Sequence, residues 1–118
     1  MAQLHWNESM AQHFDAVVSE GPAGRRLVVA GEIDLATAPN LETSLRWFSG
    51  TSDREVVVDA SRITFLDSSG LAVLVAVALD MALAGKQLVV RDPSPSVCRV
   101  LDITGLSSCL CVDLSGPD

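Results

Sequence analysis

The sequence Asp-Ser-Ser-Gly at positions 67–70 separates two strongly apolar segments, and it constrains the fold more than any other part of the chain. Residues 55–59 form a valine-rich run typical of a buried strand, and residues 70–84 form a long run of leucine, alanine, valine and methionine typical of a helix. Aspartate and serine are favoured where a helix begins, because the first backbone N–H groups lack partners within the helix. The pattern predicts a strand, a polar loop and a helix over 69–84, with a serine hydroxyl at the positive end of that helix.

Two interpretations of Ser68 are open from the residues alone. As a helix cap it would contribute about 1 kcal/mol of stability, and as a modification site it would hold a phosphoryl group among unpartnered backbone N–H groups. Gly70 favours the second interpretation, because its missing side chain would let the backbone of another molecule approach. Ser69 is an alternative acceptor, but we expect it to cap the helix or to lie in its first turn.

Strand and helix patterns alternate along the rest of the chain. Apolar residues alternate from Phe14, and a second apolar run follows a Gly-Pro-Ala-Gly turn, which together predict a hairpin. Thr37 and Pro39 predict the start of a first helix, and glycine predicts the helix ends. The predicted elements are strands near 13–19 and 25–31, a helix from about 37 to Gly50, a strand at 55–59, a lead into the polar loop at 61–64, a helix over 69–84 stopped by Gly85, a strand at 87–91, a helix ending at Gly105 with Val97, Val100, Leu101 and Thr104 on its inner face, and a strand near 110–114.

This order of elements implies right-handed crossovers between strands, with helices packed on one sheet. The predicted class is α/β, bordering on α+β, with a single mixed β-sheet of about five strands. A length of 118 residues suits a single domain over 1–118.

The formal net charge of −7 argues against nucleic acid and anionic membrane surfaces as partners, since both select clustered lysine and arginine. The most apolar segment, 70–79, has only half of the ~20 residues that a membrane-spanning helix needs. The first residues lack the basic start and apolar block of a secretory signal, so we expect a cytoplasmic protein.

Neither the cysteines nor the histidines form a recognisable chemical site. Cys109 and Cys111 are two residues apart, which in a strand would place them on the same face, and no zinc spacing is completed. We interpret these two and Cys98 as reduced thiols in or near the core, and we expect no metal and no cofactor. His5 and His13 are isolated, which argues against a serine hydrolase and against an enzyme in general.

Five segments, in their order along the chain, resemble the STAS domain of bacterial anti-sigma factor antagonists. The resemblance covers a core of about residues 14–114 and depends most on Asp-Ser-Ser-Gly-Leu at 67–71, followed by Thr-Gly-Leu at 104–106. The five segments are Gly-Glu-Ile-Asp at 31–34, Val-Val-Val-Asp at 56–59, Ile-Thr-Phe-Leu-Asp-Ser-Ser-Gly-Leu at 63–71, Gly-Lys-Gln-Leu at 85–88 and Leu-Asp-Ile-Thr-Gly-Leu at 101–106.

The resemblance implies that Ser68, the first serine after the aspartate, is phosphorylated by a partner anti-sigma factor that is an ATP-dependent serine kinase. The unphosphorylated chain would bind this kinase and free the sigma factor, and phosphorylation would end the binding. The kinase would supply ATP and magnesium, and a phosphatase is a further candidate partner. Phosphorylation adds about −1.5 to −2 charges beside Asp67, which would repel an acidic partner surface.

Two aspartates are expected near this serine. We expect Asp67 to lie at the partner interface and to hold the shape of the loop, because a lone carboxylate does not make a metal site. Asp34 resembles an acidic position of the family that lies near the serine and belongs to the partner surface. A solvated turn residue before a helix is an equally open interpretation of Asp34.

The helix over 69–84 is apolar on more than one side. Leucines and a valine at positions 71, 74, 75, 79 and 83 supply a core stripe, yet positions 72, 73, 76 and 77 are apolar as well. We expect this second side to be a docking surface, with deep burial as the open alternative. The expected partner-binding residues are Asp34, Asp67, Ser68, Ser69, Gly70, Ala72, Val73 and Ala76.

A rival interpretation comes from another class of protein. The chain would then be a STAS module that acts as a scaffold or binds a small ligand in a signalling complex, and its serine would be purely structural. A pull-down with candidate kinases separates the two. The apolar helix also predicts that the chain is a monomer or a weak homodimer.

Overall fold

The structure is a computed structural model and describes residues 14–22, 24–50 and 54–114. Within these ranges the chain forms five strands, three α-helices and a short 3₁₀ helix. The strands are β1 Phe14–Gly21, β2 Gly24–Ile33, β3 Glu55–Leu66, β4 Gln87–Arg91 and β5 Cys111–Asp113; the helices are α1 Ala38–Gly50, α2 Ser68–Leu83, α3 Pro95–Thr104 and the 3₁₀ helix Leu106–Cys109.

The strands lie side by side in the order in which they occur along the chain. β1 and β2 form the predicted antiparallel hairpin, and β2 to β5 are parallel. Each right-handed crossover therefore moves one strand further in the same direction, which places α1, α2 and α3 on one face of the sheet. The predicted fold class, a single mixed sheet with helices packed on it, is confirmed.

The hydrophobic core fills the space between this face of the sheet and the helices. Side chains of a strand alternate between its two faces, so every second residue of β2, β3 and β4 contributes to the core. The core includes Leu27, Val29, Val56, Val58, Leu88 and Val90 from the strands and Leu41, Leu45, Phe48, Leu74, Val77, Val97 and Leu101 from the helices.

The opposite face of the sheet carries paired charges. Arg26 on β2 has its Nε 3.5 Å from Asp59 Oδ2 on β3. Arg91 on β4 and Asp113 on β5 form a second pair, with 3.2 Å between Nε and Oδ2. Partly exposed pairs between strands contribute ~0–1 kcal/mol each, so they favour this strand register more than they stabilise the fold.

β3 is longer than the predicted strand, and residues 61–64 belong to it instead of leading into a loop. Ser61 and Arg62 are exposed polar residues, which concealed the strand in the sequence. Ile63 and Leu66 are buried and pair with β2. The pairing with β2 shifts register in two places, so the side chains no longer alternate strictly between core and solvent.

The last strand is also shorter than predicted. Cys109 lies at the end of the 3₁₀ helix, and the strand begins only at Cys111. The prediction that these two cysteines share one face of a strand is therefore wrong. Cys98 and Cys111 are half-buried thiols without a disulfide.

α3 agrees with the prediction except at its last turn. Val97 and Leu101 are buried, and Gly105 ends the helix with φ 73° while its N–H donates to Leu101 O. Thr104 is exposed, and its hydroxyl donates back to Val100 O, one turn earlier in the same helix, at 2.7 Å. The placement of Thr104 on the inner face is wrong.

α2 buries a different stripe from the predicted one. Leu74 faces the core as predicted, but the stripe continues through Val77 and Met81. Leu79 and Leu83 are 59% and 88% exposed, so their assignment to the core is wrong. Because nearly every residue of α2 is apolar, the sequence pattern does not show which side faces the sheet. No helix in the described part of the chain combines the length and apolar character that a membrane span requires.

Candidate functional site

Asp67 is the N-cap residue of α2. Its Oδ1 accepts hydrogen bonds from the N–H groups of Ser69 and Gly70, at 2.9 and 3.2 Å, and from the Ser69 hydroxyl at 2.6 Å. These donors, the Ser69 hydroxyl first, hold the pKa of Asp67 below its ordinary value, so the carboxyl is ionised at neutral pH. The cap is therefore the aspartate, and the interpretation of Ser68 as the cap is wrong.

Ser68 is the first residue of α2, and its side chain is exposed. Its hydroxyl makes no hydrogen bond with any residue in the ranges 14–22, 24–50 and 54–114. Ser69 lies in the first turn, as predicted, but its hydroxyl is held by Asp67. Of two adjacent serines, only the first presents an oxygen that is accessible and unengaged.

Three backbone N–H groups in the first turn of α2, those of residues 69–71, already donate hydrogen bonds. Ser69 and Gly70 donate to the Asp67 carboxylate, and the Leu71 N–H donates to Asp67 O at 3.0 Å. The prediction that unpartnered N–H groups here would receive a phosphoryl group is therefore wrong for residues 69–71. A phosphoryl group on Ser68 would instead stand beside an ionised carboxylate.

Gly70 is buried between α2 and the sheet. A Cβ atom at this position would lie 2.5 Å from Ile33 Cγ2 on β2 and 2.5 Å from Leu66 Cδ1 on β3. The missing side chain lets α2 approach its own sheet closely, and the expectation that it admits the backbone of another molecule is wrong. This contact fixes the position of the first turn of α2, and with it the position of Ser68.

The loop between β2 and α1 lies directly beside the start of α2. Ile33 O accepts a hydrogen bond from the Asp67 N–H at 3.1 Å, and Ile33 is the register partner of Leu66 at the ends of β2 and β3. The next residue along the chain, Asp34, therefore lies close to the serine, as predicted.

Asp34 organises its own loop. Its Oδ1 accepts hydrogen bonds from the N–H groups of Ala36 and Thr37, at 3.0 and 3.1 Å. Thr37 directly precedes α1, and its hydroxyl donates to Glu32 O at 2.8 Å. These contacts fit the interpretation of Asp34 as a turn residue before a helix, while its part in partner binding stays a prediction.

The predicted docking residues of α2 differ in accessibility. Ala72 and Ala76 are exposed, one and two turns after Ser68. Val73 is only half-exposed and packs against the core. The accessible apolar stripe thus consists of the two alanines and continues to Leu83 at the far end of the helix.

Two exposed apolar residues on the segments next to the serine were not predicted from the sequence. Leu35, in the loop after β2, is 79% exposed, and Phe65, near the end of β3, is 48% exposed. Leu35 follows Asp34 within a predicted turn, and an apolar side chain in a turn is a signal that could have been followed. Phe65 gave no comparable signal, because the strand was predicted to end at residue 59.

Over the described ranges, the fold and the site together define a small domain with one mixed sheet, three α-helices and an accessible serine at the start of α2. No group of three potential metal ligands occurs among the residues that the structure describes. The family model described as "Mlab, STAS domain" matches residues 16–116, which is most of the chain. The chain belongs to the STAS domain family.

The relatives place the chain within one branch of that family. It is 32% identical over 81 residues to an anti-sigma-B factor antagonist of Listeria monocytogenes, covering 69% of this chain and 71% of the relative. It is similar to the crystal structure of an anti-sigma factor antagonist from Mycobacterium paratuberculosis, at 27% identity and a TM-score of 0.76 over 88% of each chain. Its resemblance to the bacterial anti-sigma factor antagonists is confirmed.

A third likeness concerns the fold alone. The Bacillus cell fate determinant SpoIIAA, solved in its phosphorylated form, is 17% identical and has a TM-score of 0.57. The match covers 86% of this chain and 92% of that protein.

Proposed function

We propose that the unphosphorylated chain binds an anti-sigma factor serine kinase and so frees a sigma factor, and that phosphorylation of Ser68 by this kinase ends the binding. One observation carries the proposal: Ser68 presents an exposed hydroxyl that no described residue engages, on a backbone fixed at the start of α2. The kinase brings ATP and magnesium, a phosphatase restores the serine, and the exchange takes place in the cytoplasm.

The contacts favour Ser68 over Ser69 as the acceptor. The Ser69 hydroxyl donates to Asp67 at 2.6 Å and is partly buried, so phosphorylation there would break a charge-assisted hydrogen bond and place a dianion against a carboxylate. Phosphorylation of Ser68 breaks no hydrogen bond to a described residue. A kinase can therefore modify Ser68 while the fold stays intact.

The same geometry accounts for a switch that acts on binding. The phosphoryl group adds about −1.5 to −2 charges next to ionised Asp67. The N–H groups of residues 69–71 already donate to Asp67, so they are not unshared donors for this charge. The negative charge is therefore left facing the partner, where it repels acidic groups and occupies space needed for close contact.

The acceptor is tested by incubating the purified chain with each purified anti-sigma factor serine kinase of the source organism, ATP and magnesium. Mass spectrometry should place one phosphate on Ser68. Ser68→Ala should abolish labelling, and Ser69→Ala, the matched control at the adjacent serine, should retain it. Labelling that persists in Ser68→Ala would contradict the proposed acceptor.

The binding switch is tested with the same kinases in the absence of ATP. Wild-type chain and Ser68→Ala should bind the cognate kinase, whereas Ser68→Asp and the phosphorylated chain should bind it at least tenfold more weakly, which corresponds to about 1.4 kcal/mol. If no kinase binds the wild-type chain, or if Ser68→Asp binds equally well, the proposed function is wrong and the scaffold interpretation gains support.

A further inference from the structure

We propose that Leu35 and Phe65 are the two apolar anchors with which the kinase docks on either side of Ser68. This inference depends on the proposed function and adds to it the residues that select the partner. Both side chains are large and apolar, they are 79% and 48% exposed, and neither belongs to the core cluster.

Both residues belong to the segments that frame the serine. Phe65 is the penultimate residue of β3, two positions before Asp67. Leu35 lies two positions after Ile33, whose carbonyl oxygen accepts the Asp67 N–H at 3.1 Å. The pairing of β2 with β3 brings the two segments together just where α2 begins, so the two side chains share one end of the molecule with Ser68.

The loop that carries Leu35 is held in one shape. The Asp34 carboxylate accepts the N–H groups of Ala36 and Thr37, so Leu35 lies inside a closed turn. The Thr37 hydroxyl ties the end of this turn to Glu32 O at 2.8 Å. An apolar side chain on a fixed turn loses little conformational entropy when it is buried by a partner, which favours its use as an anchor.

The charges next to the anchors define the chemistry of the partner. Asp34 directly precedes Leu35, Asp67 lies two residues after Phe65, and the chain carries a net charge of −7. A fitting partner surface therefore has two apolar hollows separated by hydrogen-bond donors for the two aspartates, in a contact too close to hold a phosphoryl group on Ser68. Burial of central apolar side chains inside a polar rim is the usual arrangement of residues that dominate binding.

Other apolar side chains are exposed as well, and Leu35 and Phe65 differ from them by lying on the segments next to Ser68. Leu83 is 88% exposed but lies 15 residues after Ser68, about 22 Å further along α2. Its truncation removes the same kind of apolar surface at the opposite end of the helix, so Leu83→Ala is a matched control for Leu35→Ala.

The test measures binding and phosphorylation with the purified kinase that captures the wild-type chain. Leu35→Ala and Phe65→Ala should each weaken ATP-free binding about tenfold, and Leu83→Ala should stay within twofold of wild type. In phosphorylation assays, both variants should raise KM with little change in kcat, because the anchors bind substrate and transition state equally. Circular dichroism and thermal unfolding establish that each variant is folded, and Phe65→Leu replaces Phe65→Ala if the latter does not fold, with a smaller loss expected.

The outcomes separate this inference from the proposed function. If both anchor variants bind within twofold of wild type while Ser68→Asp loses binding, the assignment of Leu35 and Phe65 as anchors is wrong and the proposed function stands. Loss of binding in only one variant overturns the two-sided arrangement. An equal loss in Leu83→Ala would show that the whole of α2 is covered, which also overturns it. If Ser68→Asp binds like wild type, the proposed function itself fails.

Discussion

The two ends of α2 are built differently, although nearly every residue of the helix is apolar. At the first end, Asp67 accepts hydrogen bonds from the backbone of the first turn, and Gly70 lets that turn pack closely against β2 and β3. At the second end, Leu79 and Leu83 are 59% and 88% exposed to solvent. The first end fixes its backbone and exposes one hydroxyl, whereas the second exposes large apolar side chains and Asp80, which pairs with Arg46 at 2.9 Å.

This difference shows what makes a residue suitable for modification. An enzyme must find the acceptor oxygen in a repeatable position, which requires a fixed backbone, and must reach it, which requires a side chain without internal partners. Ser68 meets both requirements, and Ser69 meets only the first. Four predictions test the comparison between the two ends of the helix.

The largest expected effect concerns which leucines of α2 belong to the core. Leu74→Ala should destabilise the fold by about 2–5 kcal/mol, because it opens a cavity at a buried position. Leu83→Ala should change stability by less than ~0.5 kcal/mol, because the side chain is exposed. Urea denaturation of both variants measures the difference, and similar losses in the two would show that the assigned buried face is wrong.

A smaller effect is expected from closing the space above Gly70. Gly70→Ala should destabilise by about 1–3 kcal/mol, because the new Cβ would lie 2.5 Å from side-chain carbons of Ile33 and Leu66. Gly50→Ala is the matched control, since no heavy atom lies within 4 Å of a Cβ there. The close approach of α2 to the sheet would be refuted by equal midpoints of urea unfolding for the two variants.

The N-cap of α2 should contribute less than the packing. Asp67→Ala removes the acceptor for the N–H groups of Ser69 and Gly70 and should cost about 1 kcal/mol. Asp67→Asn keeps an equally good cap without the charge and should cost less. Equal stability of Asp67→Ala and wild type in chemical denaturation would argue that these hydrogen bonds are not formed in solution.

The smallest effect concerns acid stability. Because the pKa of Asp67 is lowered in the fold, this carboxyl stabilises the fold fully above its unfolded pKa, and the contribution is lost as the pH falls through the lowered value. Ser69→Ala removes the strongest donor, so the pKa of Asp67 should rise and acid unfolding should begin at a higher pH. Carbon-detected NMR titration of the carboxyl measures this pKa, and an unchanged value in Ser69→Ala would contradict the assigned cause.

Much of the fold could be predicted because local signals agreed with the global arrangement. Alternating residues from Phe14 and the turn that follows specified the hairpin, and glycine at 105 specified the end of α3. The Asp-Ser-Ser-Gly sequence placed the serine correctly at the start of a helix. These signals act within a few residues, so they are visible without knowledge of the sheet.

Other features depend on contacts between segments that are distant in the sequence, so they could not be predicted from it. The face of α2 that is buried could not be identified, since Leu79 and Val77 are equally apolar and only packing separates them. The inward orientation of Gly70 depends on Ile33, which lies far away in sequence. Asp67 and Ser68 are both good capping residues, and only the three-dimensional geometry shows that the aspartate takes this role.

The order of the strands has a consequence for biosynthesis. Because each strand lies next to the one that precedes it in the chain, the sheet can grow by successive addition as the polypeptide leaves the ribosome. The described contacts that position Ser68 involve β2, β3, the loop after β2 and α2, all of which are synthesised before β4, α3, the 3₁₀ helix and β5. The contacts that fix the backbone of Ser68 can thus form before the last strand is synthesised.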